Sequence, residues 1–136
     1  HASFLYQAQA DILKKTDNKK AALTLLDEAI KSLPDDPELI YAEVLLLDPY
    51  TDRDKLDKTL KQLLIIEPNS PTYLNAYAYT LALQNRRLKE ARKYAELALN
   101  FAPEQASILD TLGYIAFLQN DFDTAAKVLG QAYSIS

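Results

Sequence analysis

The sequence predicts an all-α fold, an α–α superhelix (solenoid) of about four stacked helix pairs. Three observations point there. First, Pro34, Pro68 and Pro103 each close an apolar stretch, at intervals of 34 and 35 residues. Such a period belongs to helix–turn–helix arrays. Second, small or apolar residues recur at a 4-then-3 spacing: Ala22, Leu26, Ala29; Leu56, Leu60, Leu63; Ala91, Ala95, Ala98; and Ala125, Leu129, Ala132. That spacing puts each trio on one helix face. Third, only two glycines occur, Gly113 and Gly130. They are too few for the tight turns of an all-β chain, while the abundant Ala and Leu favour helix.

Pair boundaries follow the prolines, at about 3–36, 37–70, 71–105 and 106–136, within one domain spanning 1–136. In the first pair the break falls at Lys15-Thr16-Asp17-Asn18. The second opens with Asp36-Pro37-Glu38, which reads as N-cap, first-turn proline and an acidic residue suited to the helix dipole. Its internal turn runs from Asp48 to Asp52. Ser70-Pro71 opens the third pair in the same way, and its turn, Gln84-Asn85-Arg86-Arg87, carries one extra residue. The fourth turns at Gln119-Asn120-Asp121. First helices align at Tyr6, Ile40, Leu74 and Leu109, and at Gln9-Ala10, Glu43-Val44, Tyr77-Ala78 and Leu112-Gly113. Gly113 occupies a small position of this alignment, which implies a close helix crossing that tolerates Ala and excludes Leu.

Leu109-Asp110-Thr111-Leu112-Gly113-Tyr114, followed by Asn120-Asp121-Phe122-Asp123-Thr124-Ala125, resembles the tetratricopeptide repeat consensus. Ala91, Ala95, Ala98-Leu99 and Pro103 stand in the same family's positions. The resemblance covers essentially the whole chain and is strongest in its second half. It departs in the second pair, where Leu56 and Leu63 replace small residues and Asp48-Pro49 lies in the turn. Leu74 to Ala82 and Leu109 to Tyr114 also look like the last repeats of proteobacterial envelope-associated members.

Composition excludes several functions. The formal net charge is −4, which suits no phosphate backbone, so no nucleic acid partner is expected. No apolar run approaches the ~18–20 residues of a membrane span. The chain has no Cys and a single His, His1. Zinc sites and Ser–His or Cys–His nucleophiles are therefore unsupported, and no metal or cofactor is expected. Absence of Cys selects no compartment. The start at His1 and the lack of Met read as a trimmed piece, and His1 as a frayed end. Asp48, Asp52 and Asp54 lack the glycine and bidentate glutamate of a calcium loop and read as a solvated turn. Lys14, Lys15, Lys19 and Lys20, and Arg86, Arg87, Lys89, Arg92 and Lys93, read as solvated faces.

The resemblance implies that the first helix of each pair lines a concave groove. Its inner positions hold Phe4, Gln7, Asp11 and Lys14; Glu38, Tyr41, Leu45 and Asp48; Thr72, Asn75, Tyr79 and Ala82; and Ser107, Asp110, Tyr114 and Phe117. Among them Tyr41, Asn75, Tyr79, Asp110 and Tyr114 form the expected partner-binding surface, because such side chains join contact area to a polar handle. The family's carboxylate clamp is not expected, since its positions hold Gln7, Asp11, Ala42, Thr72 and Ala76, without a cation. The implied function is a protein–protein interaction module that binds a peptide or partner protein in the groove. The alternative is a structural connector within a longer chain, using its end faces. An enzyme is not expected, because an open groove does not exclude water. The last helix presents Phe122, Ala125, Val128, Leu129, Ala132, Tyr133 and Ile135, wider than one packing partner requires. Val128 and Tyr133 are expected at an end-face interface, covered by a second copy or by further chain.

Overall fold

The computed structural model describes residues 2–15 and 18–135. The expectations for His1, for the Thr16-Asp17 part of the first turn and for Ser136 lie outside the described residues. Eight helices occur among those described: α1 (Ala2–Lys15), α2 (Lys19–Ser32), α3 (Pro37–Leu46), α4 (Arg53–Ile66), α5 (Pro71–Leu83), α6 (Leu88–Phe101), α7 (Ala106–Leu118) and α8 (Phe122–Ile135). No strand occurs among the described residues. The fold is all-α, as the 3.6-residue periodicity predicts.

Side chains bonded to the backbone set the starts of α2, α3 and α5. Asp36 Oδ1 accepts from the N–H groups of Glu38 and Leu39 at 3.0 and 3.4 Å. Ser70 Oγ accepts from the N–H of Tyr73 at 3.3 Å. Both caps precede a proline at the first helical position, where its missing N–H costs nothing. Asn18 caps α2 through the N–H of Ala21. The turn at Asp48 to Asp52 is bonded internally. Asp48 Oδ1 accepts from the N–H groups of Tyr50 and Thr51 at 2.8 and 3.0 Å. Asp52 Oδ2 accepts from the N–H of Asp48 at 2.8 Å and from Lys19 Nζ at 2.9 Å. These bonds hold both carboxyls below the usual range.

The chain forms two compact units. In the first, reaching to Ile66, α1 packs on α2 and α3, α2 on α3, and α3 on α4. Ala22, Leu26 and Ala29, one of the repeated trios, sit in its core with Ala10, Leu39 and Leu46. In the second, from Glu67 onward, α5 packs on α6 and α7, α6 on α7, and α7 on α8. The trio Ala91, Ala95 and Ala98 is fully buried there. Alanine at these positions brings backbones together, while Tyr77, Leu74 and Ile115 fill the remaining space.

The extra residue expected in the third pair is real. Residues 84–87 join α5 to α6, whereas 119–121 join α7 to α8. In both turns an asparagine ends the helix in the left-handed region, Asn85 at φ 49° and Asn120 at φ 63°. The next N–H groups then reach back, Arg86 to the Leu81 carbonyl at 3.1 Å and Asp121 to that of Ala116 at 2.8 Å. Asparagine thus does what glycine commonly does at helix ends. Arg87 absorbs the surplus residue with φ 47° and ψ 46°. Its Nη2 donates to the Tyr77 hydroxyl at 2.8 Å, and its guanidinium lies 5.7 Å from the centre of that ring.

Candidate functional site

In the second unit α5 and α7 lie side by side, and their repeat positions come into register. Asn75 and Asp110 stand one turn into their helices, and Tyr79 and Tyr114 one turn further. These four, with Leu83, Ser107 and Thr111, line a cleft of about 500 Å³. The structure therefore gathers four of the five residues expected to form the partner-binding surface. The fifth, Tyr41, is a half-buried residue of α3 in the first unit. Ala82, which the family resemblance placed on the inner face, is buried at 1% exposure.

The cleft is open to water: Tyr79 is 47% and Tyr114 37% exposed. Asp110 is exposed and is the one carboxylate among the described lining residues. Neither Asp110 nor the two tyrosines is held by a hydrogen bond or ion pair to another described residue. Asn75 Oδ1 is buried and accepts no hydrogen bond among the described residues. A buried amide oxygen without a donor costs about 1–3 kcal/mol, so it marks a surface that is not finished by the fold itself.

The arginines beside the cleft helices are engaged elsewhere. Arg87 bonds Tyr77 and lies 3.5 Å from Glu90. Arg92 Nη1 donates to Asp121 Oδ2 at 2.9 Å and to Gln119 Oε1 at 3.0 Å, which ties α6 to the α7–α8 turn. Bonds from Thr124 and Arg92 hold the Asp121 carboxyl below its usual range.

The first unit holds a feature that spacing did not single out. Glu43 on α3 is 5% exposed and shares a hydrogen bond with Asp27 on α2. Burial, that shared bond and the Asp27 charge push the Glu43 carboxyl up to about 7, against the opposing pull of Lys55 and Thr59. Asp27 is held low by the same bond and by Lys55, whose Nζ lies 3.4 Å away. A signal existed in the sequence. Glu43 aligns with Tyr77 and Leu112, which are 1% and 5% exposed, so a carboxyl stood at a core position of the repeat.

At the end of the second unit Tyr133 is 84% exposed, as expected for an end face, and Phe122 and Ile135 are also exposed. Val128 is not part of that face. It is 6% exposed and packs beside Gly113 of α7. Its neighbour Leu129, expected inside from the repeated spacing, is 40% exposed instead. The two side chains differ by about 100° around α8, and the absence of a side chain at Gly113 brings both onto α7.

No family model matches the chain. A curated relative, the TPR repeat-containing protein PA4667 of Pseudomonas aeruginosa, is 32% identical over 132 residues, 97% of this chain. The chain spans 22% of that relative's length. Among solved structures, PilW, described as a widely conserved type IV pilus biogenesis factor, superposes with a TM-score of 0.89 at 20% identity. That match covers 98% of this chain and 62% of PilW. TTC0263, a thermophilic TPR protein of Thermus thermophilus, gives 0.80 at 21% identity, over 98% of this chain and 74% of its own. At these identities the structural likenesses speak to fold: the helix-pair solenoid that the 34-residue period predicts.

Proposed function

The chain belongs to the tetratricopeptide-repeat proteins, and from that premise we propose that the α5–α7 cleft is a protein-binding surface that receives an extended segment of a partner. One observation carries this reading: polar side chains that the fold leaves uncommitted line an open cleft, with a buried acceptor at Asn75. Two tyrosines add contact area with few rotors. An extended peptide brings N–H donors at regular spacing, which suits the exposed Asp110 carboxylate. Catalysis has less to stand on, because the cleft is open to water and offers a single carboxylate. No helix among the described residues is long and apolar enough to cross a membrane.

The test is capture of partners by the protein. Replacing Tyr79 and Tyr114 together with Ala removes the aromatic walls while leaving the buried core untouched. Capture should fall at least ~10-fold, on the scale of losing interfacial aromatic anchors, with melting unchanged. Undiminished capture by the folded double variant would place the binding surface elsewhere.

A second reading has its own observation. Exposed Phe122, Leu129 and Tyr133, which recur along one stripe of α8, suit a connector whose end face is covered by further repeats or a second copy. The two readings are compatible, since the cleft residues lie on α5 and α7 and the end-face residues on α8.

A further inference from the structure

The α5–α7 cleft offers acceptors and aromatic faces but no cation among its lining residues. Its one formal charge is the Asp110 carboxylate, flanked by Tyr79 and Tyr114, and Asn75 Oδ1 is sealed without a donor. Arg87 and Arg92 do not neutralise it: they are committed to Tyr77 and Glu90 and to Asp121 and Gln119. An acidic segment laid here would oppose Asp110 with like charge. An apolar one would bury the carboxylate unpaired, at a desolvation cost. A flat cation meets the carboxylate and the aromatic faces together. A guanidinium donates to a carboxylate, and its face stacks on tyrosine rings. An ammonium has the charge but not the plane. The chain's net charge of −4 adds a general attraction for a basic partner.

We propose that the cleft takes an arginine side chain of the partner segment, its guanidinium donating to the exposed Asp110 carboxylate and its face against Tyr79 or Tyr114. This assignment rests on the reading of the cleft as the partner-binding surface. It names the residue type that the surface selects.

The test titrates the isotopically labelled chain with a short capped Gly/Ser peptide carrying one central arginine. The same peptide with citrulline, lysine or glutamate serves as comparison. Citrulline keeps the shape and removes the charge. The arginine peptide should shift the Asn75 side-chain amide and the rings of Tyr79 and Tyr114. It should bind about 10-fold more tightly than the citrulline peptide, with lysine between them. Asp110→Asn should abolish the preference for arginine over citrulline without altering the melting curve. Asp110→Lys should turn the preference toward the glutamate peptide. Equal affinity for arginine and citrulline, or an arginine preference that survives Asp110→Asn, overturns the assignment. So does the absence of any response at Asn75, Tyr79 and Tyr114. These failures are separable from that of the cleft itself, which falls only if partner capture survives the Tyr79→Ala, Tyr114→Ala substitution.

Discussion

Leu129 lies directly over Gly113: a Cβ added to the glycine would stand 2.5 Å from Cγ and Cδ2 of Leu129 and 3.2 Å from Cγ2 of Val128. Two effects then compete in Gly113→Ala. Helix propensity favours Ala by about 1 kcal/mol. Displacing Leu129 from the α7 surface costs about 1–3 kcal/mol. The sequence alone suggests that Ala is harmless there; the geometry corrects this, because even one methyl group needs Leu129 to move. Gly113→Ala should lower stability by about 1 kcal/mol and Gly113→Leu by about 3 kcal/mol, read from urea midpoints. Adding Leu129→Ala to Gly113→Ala should recover most of the loss, as expected for coupled neighbours. An Ala variant more stable than the parent rejects the close approach.

The Asp27–Glu43 pair makes stability depend on pH. Glu43 is raised from 4.5 to about 7 in the folded chain. Between those values the folded state holds the extra proton, so the stabilisation is fully present below 4.5 and is lost as pH rises through 7. Asp27, lowered from 3.8, acts with the opposite sign and only at more acid pH. The parent should therefore lose on the order of 1–2 kcal/mol between about pH 5 and pH 8. Glu43→Gln should flatten that slope, since a neutral amide replaces the neutral acid. Urea unfolding of both chains at the two pH values decides it; parallel slopes would show that the pair does not hold the proton.

Arg87 combines a left-handed backbone with a hydrogen bond to Tyr77. Arg87→Ala loses the bond and keeps the strain. Arg87→Gly loses the same bond but is at ease at positive φ. The Gly variant should therefore be the more stable of the two by about 1 kcal/mol, the reverse of their order inside a helix. If Ala is the better residue, the positive φ at this position is not a constraint.

Val128 and Tyr133 should separate core from end face. Val128→Lys forces a charge into the α7–α8 contact and should destabilise the second unit by more than about 3 kcal/mol. Tyr133→Lys, at a residue 84% exposed, should leave stability within about 0.5 kcal/mol. If the end face is an interface, Tyr133→Lys reduces self-association in sedimentation, or assembly of the protein. Unchanged behaviour in both would leave the connector reading without support.

What the sequence determined by itself is what local forces decide. Asp36-Pro37 and Ser70-Pro71 begin helices because their side chains reach backbone N–H groups two or three residues away. Three of the four repeated trios lie wholly inside because 4-then-3 spacing is one face of a helix. The cleft residues were legible for the same reason: equal phases in adjacent pairs bring Tyr79 and Tyr114, and Asn75 and Asp110, to one cleft. Phase says nothing about which pairs share a unit, so it groups Tyr41 with residues of the other compact unit. Nor does it resolve a single step around a helix. That Val128 and Leu129 both approach α7 depended on the bare backbone of Gly113 across the contact. The proton shared by Asp27 and Glu43, and the amide oxygen of Asn75 left without a donor, depend on how neighbouring helices meet. They exist only once tertiary packing has brought those groups together and excluded water, and that is what the structure alone decided.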